Sequence, residues 1–273
     1  MNRIEHFQQL MDLGAKVRNL REGFVTNFYP DVFKHQVWIS KQAFFYEEYN
    51  KTVFFIKENS SFRNLFYIST SIEELHDSIF QLLRQHKDKQ VVMDIVGRDV
   101  QCRPIVDMLR SVYFVLTTSL VRMQRITSAE DIFPSMEGIR PAEGHELEEI
   151  SDCLHEYFDD RLEQIPYDEE LQEYIKNGYV LVAKDKNRLS GFLIFEKNAS
   201  TLYLRYWFTK PECREHKVGS KLLRQFFCEG LSTKRQILWV IEKNENAIKR
   251  YVHYGFRNEN MYDYIMIWNP ENK

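Results

Sequence analysis

Apolar residues in the first 21 positions recur at roughly helical intervals. Ile4, Phe7, Leu10, Met11, Val17 and Leu20 predict an amphipathic helix, with Gly14 as its weak point. The stretch from Gly23 to Tyr46 is aromatic, is broken at Pro30, and carries no readable period. From Ala43 onward the spacing changes. Phe44–Glu47 and Thr52–Lys57 read as strands around a turn at Tyr49–Asn50, and Arg63–Ser69 as a third strand. Ser71–His86 then returns to helical spacing, with Ile72, Leu75, Ile79, Leu82 and Leu83 on one face; Ser71 with Glu74 has the form of a capping box, and Thr70 is a rival cap. Val91–Val96 reads as a buried strand, Pro104–Leu109 begins a further helix, and Tyr113–Arg122 is strand-like.

The second half runs through the same order. Tyr179–Ala183 and Leu189–Glu196 are strands around the turn Asp185–Asn187, and Leu202–Phe208 is a third. Val218–Leu231 is a helix, Ile237–Ile241 a strand, Asn246–His253 a helix and Tyr262–Trp268 a strand. Ile105–Phe114 aligns without gaps on Ala247–Phe256. Similar elements at similar spacing predict an internal duplication; the competing reading is that α/β units share an element order without being copies. Ser128–Gly138 is turn-rich and reads as a linker, which places two domains at 1–130 and 131–273. The second domain opens with a strand at Ile139–Pro141, followed by helices around Gly144–Phe158 and Asp168–Asn177, the latter ending at Gly178.

Composition narrows the function classes. Among 273 residues, 44% are hydrophobic and 28% charged, as in a folded domain. The net charge of -3 and the scattered Lys and Arg provide no track for a nucleic acid. The N-terminus MNRIEHFQQL interrupts its apolar residues with charge, unlike a leader or a membrane span. Four widely spaced cysteines (Cys102, Cys153, Cys213, Cys228) lack metal-ligand or disulfide spacing. The expectation is a cytoplasmic protein without metal.

The most informative stretch is LYLRYWFTKPECREHKVGSKLL, residues 202–223. A strand of large residues stops before Pro211, and Arg214–Ser220 leads into an amphipathic helix. A helix start exposes unpaired N–H groups and the positive end of the dipole, so it favours an anion. Arg214, His216 and Lys217 add positive charge there, and Gly219 permits close approach to the backbone. The other local reading is an ordinary basic surface loop.

This segment resembles the Arg/Gln-x-x-Gly-x-Gly/Ala signature of the GCN5-related N-acetyltransferases (GNAT), with Arg214 at the first position and Gly219 at the last. Lys217 replaces the first glycine. Asn244, Ala247, Tyr251, Gly255 and Phe256 match every fixed position of the family's Asn-x-x-Ala-x-x-x-Tyr-x-x-x-Gly-Phe pattern. The resemblance covers about residues 139–268. It implies an α/β (α+β) fold whose mixed sheet, flanked by helices, splays between Leu202–Phe208 and Ile237–Ile241, in a tandem pair of domains. Acetyl-CoA, or another acyl-CoA, is the implied donor. Arg214, His216, Lys217, Val218, Gly219 and Ser220 would hold its pyrophosphate. Phe208 and Thr209 would pair with the pantetheine through their main chain, while Asn244, Ala247 and Tyr251 would line the arm.

The implied reaction is attack of an amine on the thioester, with Tyr251 as the acid. Glu196 and Glu242 are the carboxylates best placed to act as base, directly or through water, and His155, Asp159, another residue or solvent are the alternatives. Between Ala142 and Glu173 there are 13 Asp or Glu against one Arg. That run reads either as an acceptor rim attracting a cationic small molecule or peptide amine, or as a solvated acidic face. The first half has Ser69-Thr-Ser-Ile-Glu-Glu where the anion loop should be, and its carboxylates would repel a pyrophosphate. It is therefore expected to be a degenerate copy with a structural or cleft-wall role. A second reading of the whole chain is a non-catalytic CoA-binding or regulatory module. Monomer and homodimer remain equally compatible with the sequence.

Overall fold

The computed structural model describes residues 1–186 and 188–271, apart from the side chain of Arg214. Asn187, in the turn expected at Asp185–Asn187, lies outside the described residues. In chain order the elements are β1 (Asn2–Arg3), α1 (Phe7–Arg18), β2 (Val25–Thr26), α2 (Val32–Ser40), β3 (Phe44–Tyr49), β4 (Thr52–Glu58), β5 (Phe62–Ser69), α3 (Ile72–Gln85), β6 (Gln90–Gly97), α4 (Asp99–Ser111) and β7 (Phe114–Ile126). They continue with β8 (Ile139–Pro141), α5 (Leu147–Tyr157), α6 (Asp160–Glu163), α7 (Asp168–Lys176), β9 (Val180–Asp185), β10 (Arg188–Asn198), β11 (Thr201–Thr209), α8 (Val218–Glu229), β12 (Arg235–Ile241), α9 (Glu245–His253) and β13 (Arg257–Trp268).

The chain forms two compact units. One comprises Met1–Leu120 with the segment from Asn260 onward, the other Val121–Glu259. In the first unit the strands run β1-β3-β4-β5-β6-β13, with β2 added beside β5. In the second they run β12-β11-β10-β9-β8. Each sheet is mixed. The β5/β6 and β11/β12 pairs are parallel, while β3/β4, β4/β5, β6/β13, β8/β9, β9/β10 and β10/β11 are antiparallel. The order β4-β5-α3-β6-α4 recurs as β10-β11-α8-β12-α9, which is the repeated pattern seen along the sequence.

The units divide the chain differently from a cut near residue 130. The last strand pairs Tyr262–Trp268 with Gly97–Val91 of β6, so ladder hydrogen bonds draw the C-terminal end into the first unit. The turn-rich segment before Ile139 is packed rather than loose. Phe133 lies 5.0 Å from Phe227, and the Met136 N–H donates to Gln225 Oε1 at 2.8 Å. The unreadable region 23–46 holds β2 and α2, the latter capped by Asp31, which accepts from the Lys34 N–H at 2.8 Å. Helix α4 starts at Asp99, ahead of the expected start, and carries Pro104 inside it. Gln101 Oε1 accepts from the Arg98 N–H at 3.4 Å, and Cys102, Val106 and Leu109 are buried along the helix face. That packing outweighs one missing N–H donor.

In the second unit, α5 and α7 cover one face of the sheet with Ile150, Leu154, Leu171 and Ile175 against Val180, Phe192 and Ile194. On α8, Leu222, Leu223, Phe226 and Phe227 are at most 1% exposed, and Phe226 meets Phe195 at 6.0 Å. Each such burial contributes about 1.5–3 kcal/mol, so the position of α8 is set by its apolar stripe and not by its cap.

Candidate functional site

The second unit's sheet opens where its parallel pair ends. The β11/β12 register holds for Thr201↔Arg235 through Leu204↔Leu238 and goes no further, although β11 continues to Thr209 and β12 to Ile241. The strands therefore splay where the family resemblance placed the opening. A register shift between Ile194 and Phe195 places Arg205 as an extra residue on β11. Before this bulge Leu204 pairs with Phe195, which meets Phe226 of α8; after it, Tyr206 and Phe208 join the α5/α7 core. The bulge thus changes which side of the sheet each following residue serves.

The main chain beyond the bulge can be assigned by alternation. The Lys210 N–H donates to the Ser190 carbonyl at 2.9 Å, in register with Phe208↔Phe192 two residues earlier. In an antiparallel ladder every second pair exchanges both bonds. Phe208 therefore turns its main-chain groups to β10, and Trp207 and Thr209 turn theirs toward the splayed side. The Phe208 ring is buried with Tyr157 at 4.6 Å and Phe192 at 5.4 Å.

Following β11, a 3-10 turn (Pro211–His216) leads through Lys217 into α8. Arg214 lies in this turn; its side chain is outside the described residues. His216 and Lys217 are exposed, whereas Val218, Gly219 and Ser220 are half-buried. The N-cap residue Lys217 makes no side-chain capping hydrogen bond and the first turn has no acidic residue, so among the described residues no cap or carboxylate offsets the positive dipole end formed by the leading N–H groups. A Cβ on Gly219 would lie 3.1 Å from Thr209 Oγ1 and 3.2 Å from Trp207 Cζ2, which shows how closely the helix start approaches the end of β11. Beside it the Trp207 Nε1 is buried without a hydrogen-bond partner. An orphaned donor next to an open helix start is an arrangement that fits phosphate or amide oxygens.

Lys217 explains its own departure from the signature. It adopts the left-handed conformation (φ 57°, ψ 20°), which costs a side-chain-bearing residue about 1–2 kcal/mol and glycine almost nothing. The backbone path that a glycine would give is kept, and the buried stripe of α8 offsets the cost. Lys217→Gly is expected to raise stability by about 1 kcal/mol, read as a higher urea midpoint at unchanged slope. A lower midpoint would show that the lysine makes a stabilising contact.

Across the opening, Asn244 caps α9, its Oδ1 accepting from the Ala247 N–H at 3.1 Å, which leaves the carboxamide nitrogen as the group able to donate to a ligand. Ala247 is half-buried on the first turn. Tyr251 is 8% exposed, with its ring 5.9 Å from Trp207 and 5.8 Å from Phe256. Burial pushes its phenol up to about 12; Arg250 opposes the shift and Glu163 adds to it. Tyr254, three residues on, lines a different cavity of about 350 Å³ with Phe133, Met136 and Arg224.

Glu196 accepts from the Tyr174 hydroxyl at 2.7 Å and sits 3.5 Å from Arg205 Nε, so it is tied into the wall. Glu242 is exposed just after β12, and His155 is exposed on α5. Asp159 is engaged by the Arg161 side chain and held below the usual carboxylate range by it. The residue that sequence reasoning missed is Glu163, at the end of α6. It is half-buried, and its main-chain carbonyl accepts from the Tyr206 hydroxyl at 2.7 Å. Burial, reinforced by Asp159 and opposed by Arg205, raises its carboxyl to about 7. Nothing local separates Glu163 from the other carboxylates of the acidic run. The structure sorts that run: Glu146 pairs with Arg140 and Lys184, Glu149 pairs with Lys210, and Glu163 lies within electrostatic reach of Tyr251.

A mixed sheet that splays beside an uncapped helix start, followed by a strand and an Asn-capped helix, defines the class: a GNAT-type acyltransferase fold. Residues 147–256 match the model of the acetyltransferase (GNAT) family, so this part of the chain is a GNAT domain. Solved structures extend the likeness to the entire chain. A tandem GNAT protein from the clavulanic acid biosynthesis pathway superposes with a TM-score of 0.61 at 11% identity, over 98% of this chain and 96% of that one. A GCN5-related N-acetyltransferase from Sphaerobacter thermophilus gives 0.57 at 12% identity, over 96% and 91%. A GNAT-family acetyltransferase from Colwellia psychrerythraea gives 0.55 at 13% identity, over 97% and 98%. At these identities the likeness establishes the fold, here a tandem GNAT fold. No curated protein matches the chain. Among the described residues, no helix is long and apolar enough to cross a membrane, and no cluster of His, Cys, Asp and Glu could hold a metal ion.

Proposed function

We propose that the protein transfers an acetyl group from acetyl-CoA directly to an amine, in the opening between β11 and β12. The observation that carries this reading is the uncapped start of α8 beside the splayed strands, with the orphaned Trp207 Nε1 at the same place. The N–H groups of Val218, Gly219 and Ser220, with His216, Lys217 and Arg214 near them, would hold the pyrophosphate. The main-chain groups of Trp207 and Thr209, and the carboxamide of Asn244, would meet the amides of the pantetheine arm.

Glu163, rather than Glu196 or Glu242, would take the proton of the attacking amine. Its carboxyl titrates near neutrality, where a general base combines an ionised fraction with basicity. The amine nitrogen bonds to the thioester carbonyl carbon, the tetrahedral adduct collapses with cleavage of the C–S bond, and CoA leaves as a thiolate. Tyr251 keeps its phenol proton throughout the neutral range and would donate a hydrogen bond to that sulfur. The phenol is less acidic than a thiol, of pKa about 8.5, so this donation stabilises the departing charge without needing complete transfer. The acidic run between Ala142 and Glu173, with Glu163 inside it, favours a cationic amine as acceptor. The setting would be cytoplasmic.

Titration of the purified protein with acetyl-CoA is expected to show saturable binding; none up to millimolar concentration overturns the proposal. Ser220→Glu supplies a selective control. An anion in the first turn favours the helix itself while repelling a pyrophosphate, so the dissociation constant should rise at least about tenfold with the fold intact. Unchanged affinity would move the phosphates elsewhere. Lys217 bears on the alternative of a non-catalytic CoA-binding module, whose distinguishing result is binding without transfer to any amine of a broad panel.

A further inference from the structure

The first unit has an opening of the same construction, and the chain fills it with its own residues. Strands β5 and β6 are paired only at Phe62↔Gln90, Arg63↔Val91 and Asn64↔Val92, although β5 runs on to Ser69 and β6 to Gly97. Strand β2 lies along the unpaired edge of β5, with Val25 opposite Ser69 and Thr26 opposite Ile68. At the fork Asn27 takes over. Its Oδ1 accepts from the Tyr67 N–H at 2.7 Å, and its Nδ2 donates to the carbonyls of Leu65 at 3.3 Å and Asp94 at 3.1 Å. One carboxamide thus bridges both diverging strands. The Thr26 hydroxyl donates to the Tyr67 carbonyl at 2.6 Å. Tyr67 and Trp207 each lie three residues past the last parallel pair of their unit, the count in the second unit including the bulged Arg205.

Two further features hold the segment there. Phe28 is 3% exposed and stacks on Phe55 at 4.2 Å, anchoring the segment in the aromatic core. Gly23 has φ +120°, and a Cβ on it would stand 2.5 Å from the Thr70 carbonyl oxygen, so only glycine lets the chain enter alongside the end of β5. The neighbouring helix start is closed as well. The Ser71 hydroxyl caps the Glu74 N–H at 3.1 Å, and Glu73 and Glu74 occupy the first turn of α3.

We propose that Val25–Phe28 is a built-in strand that permanently occupies the first unit's groove in place of a cofactor arm, so that the chain binds one acyl-CoA, in the second unit alone. The groove recognises extended backbone by strand addition, with Asn27 supplying side-chain amide groups where the forked strands are too far apart to pair with each other. Its substrate class is therefore an amide-bearing extended segment, and the chain provides that segment itself. The count of one rests on the acyl-CoA reading above; the occupancy of the first groove does not.

Two measurements on the full chain separate these statements. Native mass spectrometry with excess acetyl-CoA is expected to show one bound equivalent; two equivalents overturn the inference. Hydrogen exchange by NMR is expected to show a strongly protected Tyr67 amide in the wild type, exchanging at least tenfold faster in Asn27→Ala while the Leu204 amide is unchanged. A Tyr67 amide that exchanges freely in the wild type, or equally slowly in Asn27→Ala, overturns it. Asn27→Asp provides a second variant should the alanine fail to fold, because it keeps the acceptor for Tyr67 and loses both donors. Its Tyr67 amide should remain protected, and loss of that protection counts against the assigned geometry. Zero bound acetyl-CoA with a protected Tyr67 amide would refute the acyltransferase reading and uphold the built-in strand.

Discussion

Glu163→Gln is expected to lower kcat by about 10²–10³-fold while leaving acetyl-CoA affinity within about twofold, because glutamine keeps the shape and removes the base. The pH profile gives the sharper signature. The raised carboxyl titrates at about 7, so activity of the wild type should rise as pH increases through that value and the carboxylate forms. In the variant this limb should vanish, leaving the slope set by the amine itself. The sign for stability is opposite. A carboxyl raised from 4.5 to about 7 on folding makes a contribution fully present below 4.5 and lost as pH rises through 7. Folding alone therefore predicts falling stability over the range where activity climbs, and parallel curves would show that activity merely follows the folded fraction. Activity in Glu163→Gln within threefold of the wild type, with the limb retained, would remove Glu163 and return the role to Glu196, Glu242 or solvent.

Tyr251→Phe is expected to lower kcat by about 10²-fold with cofactor affinity retained. The phenylalanine keeps the ring packing on Trp207 and Phe256, and only the hydroxyl is lost. The predicted effect is smaller than that of losing the base because the phenol, at about 12, is a hydrogen-bond donor to the sulfur and a reluctant acid. The dependence on the leaving group tests this. A thioester analogue with a more acidic thiol departs without help and should narrow the gap between variant and wild type. An equal loss with both donors would place Tyr251 in positioning and not at the sulfur. Because burial raises this phenol, no activity limb from Tyr251 is expected in the neutral range, and an alkaline limb there that disappears in Tyr251→Phe would contradict the assignment.

Local rules carried much of the fold. The helical spacing of Leu222, Leu223, Phe226 and Phe227 and the alternation in Leu202–Phe208 come from neighbours in sequence, and so does the Ser71 cap. The repeated element order was visible for the same reason. Less visible was the bulge at Arg205, since one extra residue leaves no mark in a hydrophobic pattern yet redirects Tyr206 and Phe208. The region from Gly23 to Phe28 was unreadable because its two-residue strand is too short to show a period. Its stability comes from Tyr67, Leu65 and Asp94, tens of residues away.

By itself the sequence determined that a GNAT-type loop and the Asn244–Phe256 pattern stand one βα step apart, and that the basic, glycine-bearing loop lies in the second half while the first half has Ser69-Thr-Ser-Ile-Glu-Glu in its place. These properties are written in residue types at short spacing. Tertiary structure alone decided which carboxylate of the acidic run acquires a base-like pKa, because burial and the opposing charges of Asp159 and Arg205 act through space. It also decided that Lys217 keeps a glycine's backbone path, that the last strand joins the first unit, and that the first groove is filled from within. Each of these depends on groups distant in sequence, where neither periodicity nor a motif carries a signal.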